Sequence, residues 1–597
     1  MLKIFSMIDI IKTVPNLQII KFEQNFFMIH YKIASQNPLS RLIEIEIRIP
    51  TGNRTMVCMQ LPSWRPGRYE LGNFAKNILN FKASGHSLLK YKKITKDLWE
   101  IENDGASEII INYSYYSADL NAGSTYTCPD FLYVNPVNCL MYLQNEEDKK
   151  SSLHISVPSD FHLATGVSFA KKENGYDLHY ENFHELADSP WIASRVLQTN
   201  SYSAGETEFH IWFNGECKPD WKKVITDFKK FTERQIQSFG KFTCKKYHFL
   251  IHAAPFAFYH GVEHLTSSVN ALGPGYAIME ERYEDLLGLC SHELYHSWNI
   301  KSIRPAEMFP YRYHEENYFR TGFVAEGVTT YMGDLMLYAS DVFNENQYFK
   351  ELTQQLQKHM DNGARLKYSV ADSGFDTWLD GYVPGVPDRK VSIYTEGCLV
   401  ALMCDVLILE KSGGTNSLDD VMRELYNEFA LKGKGYTSDD YRNLTEKYAG
   451  RKLPEIFDDL VYGTKSYLPL LESCLEKLGL QIVKTESPLI SERLFGMKIT
   501  ETPEKTLVTQ ICSGSPAHPV LALNDQIVAV NKMAVKGDLN RWLQYFNGEK
   551  ITLTFIRSGM IMQTEIIPDG KMYYDLYFIS TNQNFPTELA KAWKKRM

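Results

Sequence analysis

The stretch LCSHELYHSWNIKSIRP, Leu289 to Pro305, decides how this chain is read. Its centre is H-E-x-x-H: His292, Glu293 and His296. Four residues make slightly more than one helical turn, so both imidazoles project from one face and can hold one tetrahedral ion. Glu293 lies at the edge of that face, where it can take a proton from a water polarised by a metal. The local sequence favours a helix over about 280–303. Glu280, Glu281, Glu284 and Asp285 crowd its first turns, where the helix dipole favours negative charge, and Pro305 is expected to end it. The bland alternative is a buried helix that spells the motif by chance, which the motif's rarity disfavours.

A structural or catalytic zinc needs at least one more protein ligand. The best candidate is Glu326 in GFVAEGVTTYMGDLML, a second stretch with helical apolar spacing. A carboxylate on a helix packed against the first completes a His2Glu set and leaves one position open for water. A glutamate on a helix surface is the ordinary alternative, opposed by its neighbours Ala325, Gly327 and Val328. The expected cofactor is one Zn2+ per chain.

Outward from this pair of helices, the chain changes period three times. From about residue 16 to 200 it alternates with period two, as in LIEIEIRIP, where Ile43, Ile45, Ile47 and Ile49 fall on one face. That pattern reads as an all-β domain. From 201 to 484 the spacing is mainly helical. PDWKKVITDFKKFTERQIQSFG is amphipathic and stopped by Gly240, and further helices are expected at about 320–340, 345–362, 392–411 and 417–430, with KYHFLIHAA as a short strand. From 485 to 570 short strands alternate with a Gly-Ser-Pro turn and a short helix, and 571–597 reads as a tail. Its ending, KAWKKRM, is expected to be a solvated helix end. The fold class is therefore multidomain α+β.

Composition sets outer limits. At 597 residues several domains are required, and 44% hydrophobic with 23% charged residues is the balance of a globular protein. A formal charge of -8 without a basic block argues against nucleic acid as the main partner. No run of about 18 apolar residues occurs, so no membrane span is expected. The opening MLKIFSMIDIIKTVP is interrupted by Asp9 and followed by no small-residue cleavage site, and reads as mature chain. Ten cysteines without paired spacing fit a reducing, cytoplasmic compartment.

With the zinc motif and AEG in place, the chain resembles the glycyl aminopeptidase family of gluzincin metallopeptidases. LPSWRPGRYELGNFAKNI (61–78) is similar to the signature of that family's N-terminal β domain. YHGVEHLTSS (259–268) is similar to its G-x-E-H segment, and SIYTEGCLVALMCDVLI (392–408) to its tyrosine-bearing helix start. The resemblance spans about residues 20 to 570. It implies a thermolysin-like catalytic domain between the β domain and a C-terminal PDZ-like domain. It also implies zinc on His292, His296 and Glu326, Glu293 as general base, and Tyr394 as donor to the oxyanion. Glu263 then corresponds to the carboxylate that holds a substrate's α-ammonium. The implied substrates are peptides with a free N-terminus. Preference for glycine or another small first residue rests on the family name alone.

Two departures stand out. The usual lysine two residues after the tyrosine is Glu396, which reverses a charge near the site. In the PDZ-like segment a small Ala-Gly-Leu step is replaced by His518-Pro519-Val520, and RLFGMKI is a loose match to a carboxylate-binding loop. Competing functions are a zinc endopeptidase, in which Glu263 anchors no amine, and a non-catalytic scaffold presenting the PDZ-like domain to a ligand.

Overall fold

A computed structural model describes residues 28–382, 386–547 and 549–596. The reading of residues 1–27 as mature chain, and the start of the β domain at 16, lie outside the described residues.

The alternating N-terminal segment forms a seven-stranded sheet. Leu42–Pro50 and Glu108–Tyr116 pair antiparallel near its middle, with Ile45 opposite Tyr113 and Ile47 opposite Ile111. The four alternating isoleucines are all buried, as period-two burial of one sheet face requires. Two four-stranded sheets complete this all-β domain.

The next sheet straddles residue 200. Its order runs Leu197–Ala204, Thr207–Asn214, Lys246–Ala253, Ser267–Gly273, Phe258–Glu263, so the expected single strand around KYHFLIHAA is the centre of five. Helix Trp221–Phe239 makes the crossover between two parallel strands. The Asp220 side chain caps its start, and Gly240, at φ 84°, ends it in the left-handed region that glycine enters freely. Phe258–Glu263 is the sheet edge, and helix Tyr283–Tyr295 packs against it.

Helices follow at Thr329–Ala339, Glu345–Asp361, Ile393–Ser412 and Leu418–Glu428, close to the expected spans. Ile393–Ser412 is buried on every side and forms the axis of the helical domain.

Residues 490–566 build a separate small unit. Strands Met497–Glu501, Thr506–Ile511, Gln526–Val530, Ile551–Arg557 and Met560–Ile566 enclose their own core of Phe495, Val508, Ile527 and Leu553. Helix Leu539–Tyr545 packs on that core. The unit grips helix Glu345–Asp361 through Lys498 Nζ on Asp361 Oδ2 at 2.6 Å.

The segment read as a tail is anchored. Strand Leu576–Thr581 pairs with Leu480–Thr485, and helix Glu588–Lys595 seats Trp593 in the main core. Arg596 reaches Asp405 at 2.6 Å and Asp419 at 3.0 Å, all three fully buried. The described part of this run, 591–596, is thus a docked helix end. Its basic composition suggested solvent, but the arginine has two buried carboxylates to neutralise.

Candidate active site

Helix Tyr283–Tyr295 ends just before His296, about eight residues short of the expected end at 303. The chain then turns, with Ile300 at φ 91°, and brings Asn299 beneath the second histidine. His296 Nδ1–H donates to the Asn299 carbonyl at 2.9 Å, which orients the ring and turns Nε2 into the cavity. The Asn299 amide donates to the Val324 carbonyl at 2.8 Å and to Thr329 Oγ1 at 3.0 Å. One asparagine therefore ties the histidine helix to the segment carrying Glu326.

That segment, Phe323–Val328, is a single wide π-helical turn running into helix Thr329–Ala339, a distortion that recurs at functional sites. Two glycines explain how tightly it packs. A Cβ on Gly327 would lie 2.3 Å from Gly397 Cα, and one on Gly333 would lie 3.0 Å from His292 Cα. The Ala-Glu-Gly turn thus crosses the Tyr394 helix, and the helix that follows it crosses the histidine helix, both in near-backbone contact.

The result is a cluster. His292 Nε2 and His296 Nε2 lie 3.0 Å apart, and Glu326 Oε2 is 3.3 Å from His296 Nε2 and 3.9 Å from His292 Nε2. A tetrahedral zinc with ligands at about 2.0–2.1 Å sets neighbouring ligand atoms about 3.3 Å apart. The observed spacings straddle that value, so these residues fit the ion. Burial alone would lower His296, yet Glu326 first, then Glu263 and Glu293, hold it up at about 10. His292, half-buried, is held well below the usual histidine range by desolvation and then by the neighbouring His296.

Glu293 is buried, and its Oε2 has no partner among the described residues. Burial pushes its carboxyl well above the usual range; His296 opposes this, and Glu263 and Glu326 add to it. Gly261 on the edge strand makes room for it, since a Cβ there would lie 2.0 Å from Glu293 Oε1.

Glu263 ends the same strand at 4% exposure, and its Oε1 is also unpartnered among the described residues. Gly67, at φ 81°, passes so close that a Cβ would lie 2.4 Å from Glu263 Oε2. Tyr394, in the first turn of helix Ile393–Ser412, stacks toward His292 with ring centroids 6.4 Å apart. Burial first, then Glu326, raises its phenol well above the usual value, so it keeps the proton it would donate. All six residues singled out by sequence line one cavity of about 820 Å³.

Glu396 lines it too, but its charge is engaged. His359 Nδ1 lies 2.9 and 2.7 Å from its two oxygens, and His359 stacks on Tyr467. The departure from the usual lysine therefore comes with a buried partner of its own.

Sequence reasoning missed the support supplied by the β domain. Tyr69 Oη donates to Glu326 Oε1 at 2.8 Å, and Trp64 Nε1 donates to the Arg312 carbonyl at 2.8 Å. Asp188 meets Lys301 Nζ at 2.7 Å and His264 Nδ1 at 3.0 Å. Trp64 and Tyr69 belong to the stretch that carries the resemblance, and Lys301 to the opening stretch, but nothing in spacing reveals contacts 76 to 257 residues apart.

Two family models match the chain. The M61 glycyl aminopeptidase model covers residues 285–400, and the peptidase M61 N-terminal domain model covers 30–195. The chain is a peptide hydrolase. Among solved structures, an aminopeptidase N family protein from Idiomarina loihiensis shares the fold of this peptidase at a TM-score of 0.88. The two are 24% identical, over 95% of this chain and 100% of that one. An M1 zinc metallopeptidase mutant from Deinococcus radiodurans, bound to a Tyr-Ser-Ala substrate, aligns at a TM-score of 0.48. It is 11% identical over 74% of the peptidase and 94% of that chain. No curated protein matches the peptidase. No helix among the described residues is long and apolar enough to cross a membrane.

Proposed function

We propose that this peptidase is a zinc-dependent aminopeptidase that removes the first residue from peptides with a free N-terminus. The observation that carries the reading is Glu263. A buried carboxylate with an unpartnered oxygen shares one cavity with His292, Glu293, His296 and Glu326. A buried charge without a partner is costly, and a substrate ammonium supplies the partner.

His292, His296 and Glu326 would hold the zinc, which when bound would polarise the scissile carbonyl and the attacking water. Glu293 accepts a proton from that water and passes it to the leaving amine. Its carboxylate is set by Gly261, which leaves the oxygen no competing side chain. Tyr394 donates its phenol hydrogen to the carbonyl oxygen as negative charge builds there. Glu263 accepts hydrogen bonds from the α-ammonium and so positions the first peptide bond, and only that bond, over the reacting groups. The unit at 490–566 is read as a PDZ-like domain that either binds a peptide C-terminus or only packs on the catalytic domain.

Zinc content per chain, and hydrolysis of a panel of aminoacyl reporters with chelator and after zinc is restored, test this reading. One zinc per chain and chelator-sensitive release of the first residue are expected. A folded protein that binds no zinc would overturn it.

A further inference from the structure

A second, smaller cavity lies next to the loop that follows Glu263. Its volume is about 40 Å³, and it is lined by His184 and Asp188 of the β domain and by Lys301, Arg304, Tyr311 and Tyr313 of the segment after His296. That is room for one small ion or a water or two. Asp188 is the only carboxylate among the described lining residues, and it is fully engaged. Lys301 Nζ donates to its Oδ1 at 2.7 Å, His264 Nδ1 to the same oxygen at 3.0 Å, and the Leu265 backbone N–H to Oδ2 at 3.0 Å. The Asp188 charge is thus balanced by Lys301, itself 6% exposed. Glu263 also acts on Lys301, but it lines the catalytic cavity and not this one.

Arg304 has no such partner. Its Nη2 donates to the Lys301 carbonyl at 3.1 Å and its Nε to the Ile300 carbonyl at 3.4 Å, with Cζ 3.8 Å from the Tyr311 ring centroid. Among the described residues Nη1 has no hydrogen bond, and no carboxylate comes within ion-pair distance. Tyr311 points to a ligand independently. It is 7% exposed, and its hydroxyl is sealed from solvent with no partner among the described residues. A buried O–H without an acceptor is costly, and such groups are normally satisfied. His184 adds no charge of its own at neutral pH. Burial, and then Arg304, push its imidazole down to about 4 against the pull of Asp188, and its Nδ1 lies 3.2 Å from the Tyr313 hydroxyl. The lining thus carries one positive charge without a counter-charge, and donors without an acceptor.

We propose that this cavity is a binding site for a small monovalent anion of the size of chloride, held by Arg304 and Tyr311 with Lys301 beside them. The volume sets the size of the ion, and the single uncompensated charge sets its valence. One chloride satisfies the Tyr311 hydroxyl and the Arg304 guanidinium together. It also joins the β domain to the segment after His296, beside the contacts through which Asp188 holds Lys301 and the loop following Glu263. The site is separate from the catalytic cluster and does not depend on the aminopeptidase reading.

The test uses the zinc-loaded full chain. Its thermal midpoint is followed as sodium chloride replaces sodium methanesulfonate at constant ionic strength, and crystals soaked in sodium bromide are measured by anomalous diffraction. Wild type should gain stability saturably, as it must with a ligand that binds only the folded chain, and should show a bromide peak between Arg304 and Tyr311. Arg304→Gln should raise the half-saturating chloride concentration by about tenfold or more, the cost of losing a charge-assisted hydrogen bond. Tyr311→Phe removes a hydroxyl but no charge, serves if Arg304→Gln fails to fold, and should raise it by about 2- to 10-fold. Equal midpoints in the two salts, or water alone in the cavity of bromide-soaked crystals, would overturn the site. So would a chloride response unchanged in both variants, or a bromide peak without stabilisation in solution, which is binding at crystal concentration only.

Discussion

Tyr69 and Glu326 lie 257 residues apart in sequence, yet the tyrosine hydroxyl donates to Glu326 Oε1 at 2.8 Å. The other carboxylate oxygen, Oε2, faces the two histidines. The β domain therefore supplies an outer contact to a residue of the catalytic cluster and is part of the site. Removing that hydroxyl leaves Glu326 free to rotate. Tyr69→Phe should weaken zinc affinity by about 10- to 100-fold, the usual cost of losing an outer-shell partner. Competition with a chromophoric chelator measures this, and unchanged affinity would reduce Tyr69 to a packing role.

Gly261→Ala tests how finely Glu293 is placed. The new methyl group would stand 2.0 Å from Glu293 Oε1, so the carboxylate must move. A displacement of about 1 Å costs on the order of 100-fold in rate. The expected outcome is a loss of kcat on that scale with zinc content unchanged. Full activity would mean that the edge strand yields instead.

Asp188 offers a pH-dependent prediction remote from the cluster. Its carboxyl is held well below the usual range: burial would raise it, but Lys301 and then His264 outweigh burial. A depressed carboxyl contributes stability that is complete above the unfolded value, about 3.9, and is lost as pH falls toward the folded value. Asp188→Asn should cost about 3 kcal/mol at neutral pH by stranding the buried Lys301 charge. The gap in thermal midpoint between wild type and variant should begin to close below about pH 4. A gap that stays constant down to pH 2 would rule out this ion pair as its source.

Sequence revealed the elements that carry chemistry because they are periodic and local. H-E-x-x-H fixes two ring positions within one helical turn, and Ala-Glu-Gly and Thr-Glu-Gly mark turns whose glycines touch a neighbouring backbone. Helix spans came within a few residues wherever a cap or an apolar stripe defined them. The end at His296 was not legible, because it is set by Asn299 bridging to Val324 and Thr329, a tertiary contact that outweighs helix propensity. Nor was the fate of KAWKKRM, since the basic run hides an arginine whose partners, Asp405 and Asp419, lie on other helices. Tyr69 is legible in sequence only as part of a motif; its role depends on two domains meeting.

The most direct measurement compares a peptide bearing a free amine with its N-acetylated twin, using zinc-loaded wild type and Glu263→Gln, with products identified by mass spectrometry. The account predicts release of the first residue from the free peptide and at least about 100-fold slower cleavage of the acetylated one. Glu263→Gln should lose on the order of 1.5–3 kcal/mol in kcat/KM, the worth of a charge-assisted hydrogen bond, on the free peptide alone. Efficient cleavage of the acetylated peptide by wild type, or equal losses on both peptides in Glu263→Gln, would contradict an aminopeptidase anchored at Glu263.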